Sequence, residues 1–366
     1  QSVAFKVVAS LSTCIFYFLA TFVFTRPVLS LMVIGNSQAE LILEEGQKYM
    51  YLMGFIGIQM MISSILSSSY REIGRVRVIL VITLIAAGSN AFLNWVLIYG
   101  HLGMPRLEVE GAAYATIIAK TVEMLLLIGY TIKERPEFIS FSVFKRIDWA
   151  LFGRILKKGS LLIISQMMWV LSESFTAAIY KGRGNAAVVS GMAASFSIAN
   201  LFFISFDGIT TATGVLIGKS LGRNELDDAR KEKTWMLSAA IIFGCIMCLV
   251  GVVTVLLVPV VFGNLSIDAQ NICRAMLLLM ALFMPLWTFV NTQLAVCRAG
   301  GDTKVGFLVD GGTTAVMIPM LLILAFFTNA SPVMMYFGVK ALDVGKIIVA
   351  THEMKKERWV VNLSNA

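Results

Sequence analysis

Charge is what this sequence has least of: only 14% of its 366 residues are Asp, Glu, Lys or Arg, against roughly 25% in an ordinary soluble domain. Histidine, cysteine and proline are scarce too, at 2, 5 and 7 residues. His101 and His352 lie at the edges of apolar runs, and neither belongs to an HExxH pattern. Hydrolytic chemistry therefore finds no constellation to use, and no enzyme is expected. Cys14, Cys245, Cys248, Cys273 and Cys297 fall in or beside apolar segments, without zinc spacing or a disulfide framework. Packing is their expected role, and no metal or cofactor is anticipated.

Apolar residues fill the space, making up 58% of the chain with a mean hydropathy of +0.81. They come in runs long enough to cross a hydrocarbon core of about 30 Å as helix. Charged or Gly/Pro breaks separate ten such runs: 7–33, 48–69, 78–99, 111–132, 159–180, 187–217, 234–262, 275–297, 305–327 and 333–350. The expected class is an all-α polytopic membrane protein with the lipid bilayer as its main partner. A net charge of +8 does not point to nucleic acid, because the basic residues sit in short stretches between the runs rather than on one face. Counted in alternate loops, Lys and Arg number 21 on one side and 5 on the other. The richer side is expected to face the cytoplasm, with the C-terminus on that side and the plasma (inner) membrane as the location.

The second half of the sequence repeats the first. Residues 70–77, YREIGRVR, lie 227 positions before residues 297–304, CRAGGDTK, and both read as short basic turns between apolar helices. At the same offset Lys6 falls on Lys233 and Gln1 on Asp228. Both copies face the same side, as in a parallel repeat about an axis along the membrane normal. The expected organisation is an N-terminal bundle over 1–132 with four of six helices, a basic cytoplasmic linker over 133–158, and a six-helix bundle with a short tail over 159–366. By the repeat, about 77 residues forming two helices are expected upstream, for twelve in all.

Gly103-Met104-Pro105 followed by Gly111-Ala112-Ala113-Tyr114, the loop residues Gly218-Lys219-Ser220-Leu221-Gly222-Arg223-Asn224, the turn Arg298-Ala299-Gly300-Gly301-Asp302-Thr303-Lys304, and the ending Arg358-Trp359-Val360-Val361-Asn362-Leu363 occur in this order. Together they resemble the multidrug and toxic compound extrusion transporters over the whole chain. The resemblance implies two six-helix bundles and secondary active efflux by alternating access, exchanging H⁺ or Na⁺ for a small, cationic, amphipathic substrate. It also implies a monomer. Ser165-Gln166 departs from an Asn-Glu pair found in a similar bacterial branch. A flippase for lipid-linked saccharides, of related fold, and a non-transporting membrane sensor or enzyme are the alternatives. A flippase cavity would carry a surplus of basic residues to hold phosphates, whereas Lys120 is the only basic residue expected well inside a helix.

Ionisable residues inside the membrane are costly, about 2.5–3.5 kcal/mol on insertion scales, so each is a candidate. Glu173 follows Lys158 by fifteen residues, about 22 Å along a helix. It shares a face with Gln166, Trp169 and Thr176, a polar stripe with an aromatic flank that suits a cation as well as it suits a hydrogen bond to a neighbouring helix. Asp207 shares a face with Asn200 and Thr211, roughly 16 Å before the Gly218 loop; Glu173 and Asp207 are expected to line one cavity. Glu123 is spaced to pair with Lys120, and Asp310 to form hydrogen bonds near the cytoplasmic rim. Asn291 is a candidate among polar residues that otherwise read as interhelical contacts. Residues 214–220, GVLIGKS, look like a phosphate-binding loop but have three residues between the glycines instead of four and follow a helix, so no nucleotide site is expected.

Overall fold

The computed structural model describes residues 2–32, 39–136, 149–183 and 186–361. Every described regular element is helical, as apolar runs of this length require when backbone N–H and C=O groups must be satisfied within the segment. Two compact units emerge, residues 1–152 and 153–366.

The first unit opens with α1 (Ser2–Phe18), which runs into a π-helical turn at Leu19–Val23, then α2 (Thr25–Met32) and α3 (Ala39–Gly54). After a bend of 43° comes α4 (Ile56–Glu72), followed by the hairpin of α5 (Val76–Tyr99) and α6 (Glu108–Glu134). Tyr70, Ile79, Ile82 and Leu127 form its buried apolar centre, and the Tyr70 hydroxyl donates to Thr131 Oγ1 at 3.0 Å. Residues 137–148, the middle of the expected linker, lie outside the described residues.

The second unit begins inside α7 (Trp149–Arg183) and continues with α8 (Ala186–Gly222), α9 (Leu226–Val261), α10 (Ile267–Ala299) and α11 (Lys304–Phe327). Two short helices close it, α12 (Pro332–Ala341) and α13 (Asp343–Lys355), divided at Leu342. The Ser266 and Ser331 hydroxyls cap α10 and α12, accepting from the third residue beyond, and Pro332 supplies the favoured first position of α12. Apolar side chains cover much of the exterior of the long helices; Val260 and Phe327 remain 81% and 84% exposed. In water such a surface would be unstable; against lipid it is the expected one.

Among the described residues eight helices are long and apolar enough to span a membrane, or nine if the bent α3–α4 pair is one span. The expectation of ten is corrected at 333–350. That stretch divides into two short helices and carries Lys340, Asp343 and Lys346, so neither piece is an uninterrupted apolar span. The charged start of α9 is also helical from Leu226, eight residues before the expected boundary.

The two basic turns of the repeat have the same backbone geometry. Gly74 and Gly301, 227 positions apart, adopt φ of 79° and 78°, a left-handed conformation that glycine takes without steric cost. In one turn Arg75 N–H donates to Tyr70 O at 2.9 Å, and in the other Asp302 N–H donates to Cys297 O at 2.9 Å. These bonds satisfy the last carbonyls of α4 and α10 in the manner of a Schellman cap.

Close helix packing in the second unit depends on small residues. A Cβ built on Gly244 of α9 would stand 2.5 Å from Pro285 Cα of α10 and in collision with the Thr288 hydroxyl. Backbone and a buried side chain offer little room to yield. Gly244→Ala should therefore cost about 1–3 kcal/mol, seen as a lower melting temperature and a smaller folded fraction in detergent. Gly214→Ala, where nothing lies within 4 Å, is the matched control and should change neither.

Candidate functional site

Glu173 occupies the later part of α7, inside the apolar stretch Phe152–Ala177. Its Oε1 accepts a hydrogen bond from Lys340 Nζ at 2.6 Å, across 167 residues of sequence, and the two side chains are 31% and 12% exposed. Lys340 lies in the last turn of α12. Its ammonium also stands 5.6 Å from the ring centre of Trp287 on α10 and 5.5 Å from that of Tyr336, one turn earlier on α12. An ammonium so placed gains from both ring quadrupoles and from the carboxylate, which offsets the loss of its water.

A second pair adjoins the first. Beyond Leu342, Asp343 opens α13 and its Oδ2 accepts from the Trp287 indole N–H at 2.8 Å, while Oδ1 meets Lys346 Nζ at 3.1 Å. Trp287 thus presents its face to Lys340 and its N–H to Asp343, joining the two pairs. Asp310 on α11 accepts from the Ser165 hydroxyl of α7 at 2.6 Å. A cavity of about 20 Å³, close to the space of one water, is lined by Trp169, Glu173, Asp310, Thr313, Lys340 and Asp343 among others. Glu173–Lys340 and Asp343–Lys346 therefore line it as matched pairs, with Asp310 as a third carboxylate, an aromatic wall and almost no free volume.

Of the residues singled out from sequence, Glu173, Trp169 and Asp310 come together here. Asn291 lies on α10 and spends its amide on the Trp287 carbonyl of its own helix at 2.9 Å. Gln166, Asn200 and Asp207 are exposed, and Asp207 does not line the cavity that Glu173 lines. Glu123 belongs to the first unit, buried and paired with Lys120 at 2.7 Å. The phosphate-loop lookalike at 214–220 lies within α8, where helical backbone N–H groups are already bonded.

Lys340 corrects the expectation that Lys120 is the only basic residue well inside a helix. Lys340, Asp343 and Lys346 recur every third residue within an apolar run. That spacing, one helix face of alternating charge, was the available signal. The partner of Lys340 was not, since nothing local pairs residue 340 with residue 173.

The family model MatE matches residues 1–96 and 162–334, well over half of the chain. The chain belongs to the MatE family. A Mesorhizobium japonicum protein described as a probable multidrug resistance protein NorM is 26% identical over 291 residues, 76% of this chain and 61% of that protein. A Listeria innocua protein of the same description is 24% identical, covering 83% of this chain and 67% of its own length. The chain thus spans about six tenths of the Mesorhizobium relative. The solved structure of the Vibrio cholerae MATE transporter VcmN in its bent form covers 98% of this chain and 79% of that one, with a TM-score of 0.72 at 16% identity. A MOP superfamily transporter from Pyrococcus furiosus, described as having a binding pocket of reverse polarity, gives 0.76 at 17% identity over 95% and 76% of the two chains. The MatE fold, a multi-pass membrane protein built from helical bundles, accounts for both units.

Proposed function

We propose that this MatE chain belongs to a secondary active transporter that exports small amphipathic organic cations, in exchange for H⁺ or Na⁺, across a bacterial plasma membrane. The observation that carries this reading is the Glu173–Lys340 pair, a carboxylate held among apolar helices with a single exchangeable positive partner. A carboxylate in such a place must be protonated or paired. Proton, sodium ion and cationic cargo therefore compete for it, and competition for one group is the simplest means of exchange. The names of the NorM relatives support the cargo class. The protein acts as a monomer in this reading and needs no cofactor.

Glu173, Asp207 and Asp310 are the carboxylates assigned to ion or substrate binding, with Trp169, Gln166, Asn200 and Asn291 as polar or aromatic wall and Glu123 in the first unit. Asp207, exposed on an apolar helix, is where a charged cargo or ion finds a carboxylate without a described counter-ion. The saccharide flippase is disfavoured by charge balance: Lys340 and Lys346 each already hold a carboxylate, leaving no surplus for phosphate. Efflux from cells expressing the full-length gene decides the matter. Glu173→Gln and Asp207→Asn, normalised to folded protein, should each lose ion-driven efflux. Undiminished efflux in both would refute the assignment, and ligand binding without flux in proteoliposomes would favour a sensor.

A further inference from the structure

Lys340 differs from most of the other lysines in ion pairs; Lys6, which reaches from α1 to Glu72 of α4, also pairs between helices but has no aromatic faces described around it. Lys120, Lys346 and Lys356 each reach a carboxylate three residues away on their own helix or its end, so those pairs are indifferent to how helices pack. Lys340 instead reaches from α12 to α7. An ammonium has three donors, and the one hydrogen bond described here goes to Glu173, the rest of its surroundings being the faces of Trp287 and Tyr336. Carboxylate below and aromatic faces around is the chemistry by which an alkylammonium is recognised.

Two further facts make this a site rather than a static bond. Tyr180, 1% exposed, has its hydroxyl buried without a hydrogen-bond partner among the described residues, and it lies in electrostatic reach of both Lys340 and Glu173. Its ring stands 6.3 Å from that of Tyr336. A buried hydroxyl left unbonded is a cost that a differently placed cation would remove. Asp343 lies one turn along, just across the Leu342 break, with its oxygens on Lys346 and the Trp287 indole, so a second negative charge adjoins the ammonium.

We propose that Lys340 is a tethered cation occupying a primary-ammonium site formed by Glu173, Trp287 and Tyr336, a site that a free alkylammonium or coupling cation takes when Lys340 withdraws. This rests on the reading of Glu173 as an exchange carboxylate, but it concerns binding and can be tested without transport. Removing the tether while keeping the box should create a receptor for the missing piece, because Lys340→Ala, which retains Cβ, vacates the length and charge of a three-carbon amine.

In the full-length protein purified in detergent, Lys340→Ala should gain a melting-temperature rise of about 3 °C or more with saturating n-propylammonium. The wild type, whose own lysine fills the site, should show little. n-Propanol should not substitute, and the additional change Glu173→Gln should abolish the effect. A rise of equal size in the wild type, or none in Lys340→Ala, overturns the proposal. Should Lys340→Ala fail to accumulate, Lys340→Met, which fills the stem volume without the charge, decides with methylammonium: stabilisation supports the site and a flat response overturns it. Loss of efflux with intact amine binding would count against the transport reading alone, and the reverse against the site alone.

Discussion

Glu173→Ala, with Lys340 left in place, should destabilise the second unit by about 3–5 kcal/mol, the usual result of stranding one member of a buried ion pair. The ammonium is 12% exposed and would keep its aromatic neighbours but lose its only described hydrogen-bond acceptor. Asp343 cannot simply replace Glu173, because its two oxygens already serve Lys346 and the Trp287 indole. The double variant Glu173→Gln with Lys340→Met should recover most of the loss, since the charges leave together and side chains of similar size remain. Thermal unfolding in detergent of Glu173→Gln, of Lys340→Met and of the double completes the cycle. Additive losses would mean that the pair contributes no coupling and that Lys340 is held by Trp287 and Tyr336 alone.

The helices were legible because a membrane leaves few alternatives: an apolar run bounded by charge has to satisfy its backbone within itself. Runs 78–99, 111–132 and 305–327 correspond closely to α5, α6 and α11. Trouble arose where the run carried its own interruption. In 7–33 the apolar signal continues past Val23, but the backbone passes through a π turn and restarts at Thr25 ahead of Pro27. In 333–350 the three charges were averaged away by their apolar neighbours, although their spacing marks one face. The repeat was visible because Gly74 and Gly301 serve the same left-handed turn, a demand that constrains residue type. The site was half legible. Glu173 declared itself as a carboxylate in apolar surroundings, while its partner depends on α7 and α12 meeting in space, which no local pattern encodes. Asp207 had the same sequence credentials as Glu173, and only the packing separates them.

Trp359→Ala should cost about 3–5 kcal/mol, although the residue lies beyond the last described helix, in the short C-terminal tail. The side chain is 0% exposed, packed with Ile217 and Leu221 of α8, Ala229 of α9, Val296 of α10 and Met354 of α13. Its indole N–H donates to the Met354 carbonyl at 3.3 Å, and Lys233 Nζ stands 5.8 Å from the ring centre. Nearby, the tail backbone presses so closely on Gly300 that a Cβ there would stand 2.6 Å from Trp359 Cα. Arg230 bonds Glu357 from α9 and holds that carboxyl below its usual range, but this pair is exposed to solvent and screened, so Glu357→Gln should matter far less. Val361→Ala, two residues beyond the tryptophan at an exposed position, should shift stability by no more than about 0.5 kcal/mol. Melting temperatures of the three variants separate the possibilities: a large loss at Trp359 alone means that burial anchors the tail, whereas an equal loss at Glu357 would assign the anchor to the ion pair. Because the ring belongs to one apolar cluster with residues of α8, α9, α10, α11 and α13, and the residue's backbone presses on the turn of the repeat, its removal should loosen the adjoining ends of these helices together rather than fray the tail.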